Sequence, residues 1–355
     1  AQPLAWSDPT GRSPRAVQFS PTGAGWLVGD AGLIAESHDQ GQHWKNIDAL
    51  PSEVAQNLNW QTLAIRGPHL WVAGEPGSVV LHSSDAGNSW QGHATGVSTP
   101  LTKITFVDDT HGWAVGALGA ILHTADGGAT WQSQRAQGRR SAALVVVSHQ
   151  NEVPLVTLAK LSADGYRTAV VVVSPRISDH RADANLASLT GGVRFVEALA
   201  SLGCQVSFAA EAIAPEAQAT ANPQPLAALV RQIRLWKPSV LIAACNHQDA
   251  QLQQQSDSEW IQIAVAQAAD DAQYQSLAER LELSPWQVQR ILVQLPAGVR
   301  GTHRVDPENS TVLSHQSLGD QASTAASLFL RAFTPLRATE EFRLIANLSG
   351  DVPGT

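Results

Sequence analysis

Three times within its first 131 residues the chain repeats one eight-residue frame, and few folds accommodate such a repeat. Ser37-x-Asp39-x-Gly41-x-x-Trp44, Ser83-x-Asp85-x-Gly87-x-x-Trp90 and Thr124-x-Asp126-x-Gly128-x-x-Trp131 share one pattern. A matching segment precedes each copy: Gly25-Trp26-Leu-Val-Gly29, Leu70-Trp71-Val-Ala-Gly74 and Gly112-Trp113-Ala-Val-Gly116. The aspartates lie 46 and 41 residues apart, which is the length of a four-stranded propeller blade. A β-hairpin turn accounts for the frame: Asp accepts backbone N–H groups inside the turn, Gly supplies a positive φ, and Trp fills the gap between neighbouring sheets. All nine of these residues (Asp39, Gly41, Trp44; Asp85, Gly87, Trp90; Asp126, Gly128, Trp131) are therefore read as structural. Three blades fall short of the roughly 4 to 8 that close a ring. A partial propeller with open strand edges is expected, and open edges invite association.

The rest of the chain excludes several classes. With 43% hydrophobic and 15% charged residues over 355 positions, it has enough apolar content for two domain cores. A net charge of −8 with scattered Lys and Arg argues against a phosphate-backbone partner. Apolar runs such as Ala169 to Val173 and Val240 to Ala244 are far shorter than the roughly 20 residues of a membrane helix. Cys204 and Cys245 form neither a disulfide framework nor a CxxC metal spacing, and read as small buried hydrophobes. The chain has no methionine, even at position 1, and its Ala-Gln-Pro start suits a signal-peptidase product, so an extracytoplasmic location is expected.

After the polar stretch Gln132 to Arg140 the pattern becomes alternating strands and helices. Strand Leu144–Ser148 feeds a helix to Asp164, and a strand follows at Tyr166–Ser174. Helix Gly192–Leu202, strand Gln205–Ala209, helix Pro225–Trp236, strand Val240–Ala244 and helix Ser258–Ala269 continue the alternation. This is the pattern of a parallel sheet with helices on both faces. Chemistry in such sheets sits in the loops leaving the carboxyl ends of the strands, here beginning with Ser148-His149-Gln-Asn-Glu152. Gly191-Gly192 reads as a break before a helix, and the Gln- and Ser-rich run Gln248 to Ser258 as a flexible loop. His303 and His315 read as surface histidines. No strained Gly-x-Ser-x-Gly turn supports a triad of Ser148, Asp179 and His180.

The repeated frame resembles the Asp-box (BNR) repeat. In its wider form, Gly112-Trp-Ala-Val-Gly116 followed by Ile121-Leu-His-Thr-Ala-Asp-Gly-Gly-Ala-Thr-Trp131, it looks most like the repeats of photosystem II stability/assembly factor propellers. Sialidases share the Asp-box, but their arginine cluster has no counterpart among Arg12, Arg15, Arg66 and Arg135. The region 141–345 resembles the PIG-L/LmbE family of zinc-dependent N-acetylglucosaminyl deacetylases. The marks are Leu144-Val-Val-Val-Ser-His149-Gln-Asn-Glu152, Arg194-Phe-Val-Glu197, Arg231-Gln-Ile-Arg-Leu-Trp-Lys-Pro238, Ala264 to Asp270, and Ser317-Leu-Gly-Asp-Gln-Ala322. The resemblance implies zinc held by a His-Pro-Asp-Asp-Glu loop and a second His-x-Asp-His motif, with a carboxylate base.

Here that signature is degenerate. His149 keeps the first ligand position, Asn151 replaces the base, and Glu152 replaces a ligand aspartate. An amide cannot take up a proton at neutral pH. The second motif, read at His247-Gln-Asp249-Ala250 or, anchored on the following helix, at Asp257-Ser258, loses its terminal histidine. Were the site active, His149, Asn151 and Glu152 would carry it; were a metal bound, His149, Glu152 and His247 would hold it. The sequence thus predicts a multidomain chain: an all-β partial propeller of three blades at 1–135, a linker at 136–140, and an α/β Rossmann-like domain of PIG-L/LmbE type at 141–355. The expected role is a scaffold or accessory subunit without cofactor, binding protein subunits of an extracytoplasmic, membrane-associated photosynthetic or electron-transfer complex. The alternative is a secreted zinc-dependent deacetylase.

Overall fold

The computed structural model describes residues 8, 11–134, 141–147, 150–173, 186–209, 226–244, 253–310, 316–329 and 338–348. The chain divides into two compact units. One takes in residues 1–139 with 274–284, and the other 140–273 with 285–355.

The first unit contains three four-stranded antiparallel sheets, one per sequence repeat. The first sheet is β1 (Pro14–Phe19), β2 (Gly25–Gly29), β3 (Ile34–Ser37) and β4 (Lys45–Asn46). The second is β5 (Asn59–Arg66), β6 (His69–Glu75), β7 (Val79–Ser83) and β8 (Gln91–Ala94). The third is β9 (Leu101–Phe106), β10 (Gly112–Gly116), β11 (Ala120–Thr124) and β12 (Gln132–Ser133). Strand order follows chain order in each, so every sheet is a meander. β12 pairs with β11, so Gln132 and Ser133 complete the third sheet, and residues 135–140 lie outside the described residues. Apolar residues from the second and third sheets form one cluster, among them Trp71, Ala73, Ile104, Ala114, Leu122 and Trp131. Residues 274–284 belong to this unit as well, and the Ser78 hydroxyl donates to the Leu281 carbonyl. Nothing in the local sequence of 274–284 signals that placement.

The second unit is built on a seven-stranded sheet. Its strands are β13 (Ala143–Val147), β14 (Thr168–Val173), β15 (Cys204–Ala209), β16 (Val240–Ala243), β17 (Arg290–Gln294), β18 (His303–Val305) and β19 (Glu340–Asn347), in the order β15-β14-β13-β16-β17-β19-β18. The first five in that order are parallel, and β19 and β18 complete the sheet antiparallel. β13 is the middle of the five parallel strands and buried along its whole length, as its unbroken apolar run requires. Helix Leu155–Ala163 sets Leu155, Val156, Leu158 and Ala159 into the core, beside Phe195, Ala198 and Leu199 of helix Leu186–Ser201.

Two helices start earlier than the sequence pattern indicated. Helix Leu186–Ser201 runs through Gly191 and Gly192 instead of beginning after them. Two helical glycines cost about 1 kcal/mol each relative to alanine, and burial of the Phe195, Ala198 and Leu199 side chains offsets this. Helix Gln253–Ala269 begins inside the Gln-rich run read as a loop, because Gln is a good helix former once a nucleus exists. Residues 245–252 lie outside the described residues.

That helix ends on a buried cation. Arg234, on helix Leu226–Trp236, is fully buried and donates to the carbonyls of Ala268 (3.1 Å), Gln267 (3.3 Å), Asp270 (2.9 Å) and Gln273 (2.9 Å). Carbonyls at a helix C-terminus lack intrahelical donors and carry partial negative charge, so one guanidinium satisfies the end of the helix and the turn after it. Replacing Arg234 with Leu strands these acceptors in a dry site. The substitution is expected to cost about 3 kcal/mol, read as a lowered midpoint in urea unfolding; a loss within error of zero would mean that water replaces the guanidinium.

Candidate functional site

The three Asp-box turns share one hydrogen-bond circuit. The hydroxyl that opens each frame is buried, accepts from the glycine N–H and donates to the aspartate. The glycine distances are 2.9 Å for Gly41 to Ser37, 2.8 Å for Gly87 to Ser83 and 2.9 Å for Gly128 to Thr124. The hydroxyl-to-carboxylate distance is 2.8 Å in all three. One carboxylate oxygen accepts the backbone N–H of His43, Ser89 or Thr130, at 2.9, 2.8 and 2.9 Å. The other meets the same residue's side chain at 2.6 Å each time. Sequence reasoning missed this position, although a visible signal marks it: the residue before each box tryptophan is His, Ser or Thr.

These bonds favour the ionised form. Asp39 is held well below the usual carboxylate range, first by the His43 N–H. Asp85 is lowered to about 2, first by the Ser89 hydroxyl, and Asp126 to about 2, first by the Thr130 hydroxyl. The glycines do what the frame requires, with φ of 86°, 93° and 92° at Gly41, Gly87 and Gly128. Gly128 has a second reason to lack a side chain, since a Cβ there would come within 3.1 Å of the Trp71 indole nitrogen.

That contact shows which tryptophan joins the sheets. Box tryptophan Trp131 lies in the cluster between the second and third sheets, but the fully buried ring there is Trp71, from the Gly-Trp type segment. Its indole N–H donates to the Gly127 carbonyl of the next box at 2.7 Å. Phe106 stacks on one side of the ring at 3.6 Å between centroids, and His82 stacks at 5.1 Å. Trp26 lies against the second box in a similar place, since a Cβ at Gly87 would lie 3.2 Å from its indole nitrogen, but among the described residues that nitrogen makes no hydrogen bond to the turn. Beside Trp71, the rings of His69 and His82 stack, with His69 Nδ1 and His82 Nε2 at 3.0 Å. Burial pushes His82 down to about 4, helped by the charges of His69 and His93, and burial lowers His93 too.

β1, β5 and β9 are each the first strand of a sheet and pair on one side alone. Together they line a cavity of about 390 Å³, formed by residues 16–18, 61–65 and 102–106. Its chemistry is mixed, with Gln18, Gln61, Thr62, Thr102 and Thr105 beside Val17, Leu63 and Ile104, and Lys103 as the cation.

In the second unit, the loop after β13 carries the other sequence candidates. Gln150–Glu152 form one 3-10 turn, with Asn151 exposed and Glu152 half-buried. His149 and His247 lie outside the described residues, as do Ser148, Asp179, His180 and His315, while His303 is an exposed residue of β18. Among the described residues, no group of three or more His, Cys, Asp or Glu side chains is placed to hold a metal ion. The described part of this loop supplies one carboxylate, Glu152, and one amide, Asn151, which cannot take up a proton at neutral pH. The N-terminus of the following helix, Leu155–Ala163, is filled from within the unit. Glu340 of β19 accepts the N–H groups of Val156 (3.1 Å) and Thr157 (2.8 Å) and the Thr157 hydroxyl (2.6 Å). Burial raises the Glu340 carboxyl while these bonds oppose the rise.

A family model described as photosynthesis system II assembly factor YCF48 matches residues 6–97 and 92–157. The chain is 31% identical over 128 residues to the photosystem II assembly lipoprotein Ycf48 of Synechococcus sp. (strain CC9902), covering 35% of this chain and 37% of that protein. It is 26% identical over 113 residues to the chloroplastic photosystem II stability/assembly factor HCF136 of Arabidopsis thaliana, covering 31% of this chain and 28% of that one. The chain thus spans about a third of the length of the curated relatives it matches. Among solved structures, YCF48 bound to D1 peptide matches at 26% identity and a TM-score of 0.34, over 38% of this chain and 43% of that one. The N,N'-diacetylchitobiose deacetylase of Pyrococcus horikoshii matches at 12% identity and a TM-score of 0.40, over 57% and 83%. The propeller-like part is therefore similar to the Ycf48 and HCF136 assembly factors.

The titrating groups of the sheets give two windows of acid sensitivity. A lowered folded pKa means that the unfolded chain binds more protons, so stability falls with pH through the interval between the two values. For His82 that interval runs from 6.5 to about 4, and for Asp85 and Asp126 from 3.8 to about 2. Urea unfolding followed by tryptophan fluorescence should show both declines. His82→Phe is expected to remove most of the upper one and Asp85→Asn to reduce the lower one, which Asp126 shares; unchanged profiles would separate these groups from the stability of the sheets.

Proposed function

We propose that this chain is an accessory factor for a membrane protein complex of the photosystem II type, acting on the extracytoplasmic side. The likeness of its repeat region to Ycf48, at 31% identity over 128 residues, carries the reading. The geometry of the first unit supports it. Unpaired edges of β1, β5 and β9 beside a cavity offer backbone donors and acceptors to an extended segment of a partner, the strand-addition mode of recognition. The threonine and glutamine lining suits a polar segment, and Lys103 suits one that carries a carboxylate. Among the described residues no helix is long and apolar enough to cross a membrane.

The partner class follows from the relative whose structure holds a D1 peptide. Synthetic peptides tiling D1 should include one that binds the full chain, and Lys103→Glu should weaken it roughly 5- to 10-fold, the effect of about 1 kcal/mol at a partly screened ion pair. If no peptide binds in isothermal titration, or if the variant binds as tightly, the groove is not the partner site.

For the second unit the proposed reading is a deacetylase-like, PIG-L/LmbE-type fold that serves as a scaffold without turnover. Its support is the amide of Asn151 where hydrolysis needs a base, together with the carboxylate of Glu340 on the neighbouring helix N-terminus. The alternative is a zinc-dependent N-acetylglucosaminyl deacetylase. Metal analysis of the purified protein and an acetate-release assay on N-acetylglucosamine substrates decide between them: neither stoichiometric zinc nor acetate is expected. Zinc at one equivalent, with acetate release that disappears in His149→Ala, would establish the enzyme.

A further inference from the structure

The second sheet carries a histidine pair that neither the Asp-box turns nor the cavity uses. His69 opens β6, and His82 lies on the neighbouring strand β7 as the cross-strand partner of Trp71. Residues two apart on a strand share a face, and so do residues paired across strands, so the sheet sets both imidazoles on the face that carries Trp71. Both are half-buried. His69 Nδ1 and His82 Nε2 stand 3.0 Å apart, with the ring planes within 12° of each other. A hydrogen bond between two ring nitrogens needs a lone pair on one of them, so at least one ring is the neutral form that ligates metals.

The third sheet has histidines at the same two positions and shows what is particular to the second. His111 stands two residues before Trp113, and His123 is the cross-strand partner of that tryptophan. There the ring centroids are 6.2 Å apart, against 5.3 Å in the second sheet, and His111 Nδ1 is engaged by Asp108 at 2.9 Å. In the second sheet the two nitrogens face each other instead. The His93 ring, on β8, lies 6.1 Å from that of His82 and is tilted by 43°, so the strands set up a pair and not a triad. Arg66, the cross-strand neighbour of His69, has its charge offset by Asp109 at 2.9 Å.

We propose that His69 and His82 form a two-nitrogen site for a late divalent transition metal, copper(II) before nickel or zinc, with water completing the coordination. Imidazole nitrogen suits these ions, whereas magnesium and calcium take oxygen, and copper binds such donors most tightly of the series. Two cis ligands at about 2.0 Å from one ion are themselves about 3 Å apart, which matches the separation of the two nitrogens. Loading releases no proton: the ring that donates now carries its proton on the far nitrogen, and both rings turn a lone pair to the ion. Adjacent strands hold the donors together before the ion arrives, which limits the ordering cost of binding. The site uses β6 and β7, neither of which lines the cavity of β1, β5 and β9, so it stands apart from the peptide-binding reading.

The test is titration of the full chain with copper(II) chloride near neutral pH, followed by calorimetry and electron paramagnetic resonance. The tightest equivalent is expected to show the nitrogen hyperfine pattern of two imidazoles. H69Q and H82Q are each expected to weaken that equivalent by at least roughly 10- to 100-fold, and H111Q to leave it unchanged. Thermal melts check that each variant is folded; should H82Q unfold, H69Q decides, since losing either nitrogen breaks the pair. A wild type that binds no copper overturns the proposal, as does binding that survives either substitution. A loss in H111Q as large as that in H69Q also overturns it, because the ion would then not be held by this pair.

Discussion

The Trp71 indole, stacked with Phe106 and with His82 and with its N–H on the Gly127 carbonyl, is the contact on which the propeller-like part depends. A four-stranded meander buries little by itself, since both faces are otherwise open to water. Stacking sheets supplies the missing burial, and an aromatic ring of this size covers enough apolar area to be worth several kcal/mol. The hydrogen bond adds position to that energy. It fixes the ring against one carbonyl of the neighbouring turn, and so fixes how the next sheet lies. The turn must then be bare, which is why the residue after Gly127 is a glycine for steric reasons as well as for its positive φ. Ser or Thr, Asp and Gly of the frame build the turn; at the third box, Trp71 of the preceding repeat reads it.

Much of this was legible in the sequence, and the limits of that legibility are physical. The frame appears three times with fixed spacing because the turn is a closed local circuit: Ser83, Asp85, Gly87 and Ser89 satisfy one another within seven residues. Local circuits leave local patterns. Assigning the joint between sheets to Trp44, Trp90 and Trp131 understated the role of Trp26 and Trp71, because the partner of Trp71 lies 56 residues away and leaves no pattern beside it. The same holds for residues 274–284 and for the antiparallel strands β18 and β19. Their places are set by contacts distant in sequence, such as Gly301 N–H on Glu341, and no periodicity announces them. The central strand β13 was legible for the opposite reason, since a strand covered on both faces must be apolar throughout.

In the second unit the start of a helix that follows a parallel strand is capped from within the unit. In parallel sheets the carboxyl ends of strands and the N-termini of the following helices supply unpaired N–H groups, and these draw anionic substrates and transition states. After β13 that role would fall to the amides of Val156 and Thr157. Both instead donate to Glu340, a residue of the antiparallel strand β19. An incoming carboxylate or oxyanion would have to displace a carboxylate that three donors already hold and that has little water to retreat into. The carboxylate of Glu340 thus ties the strand β19 to the start of helix Leu155–Ala163 through three hydrogen bonds.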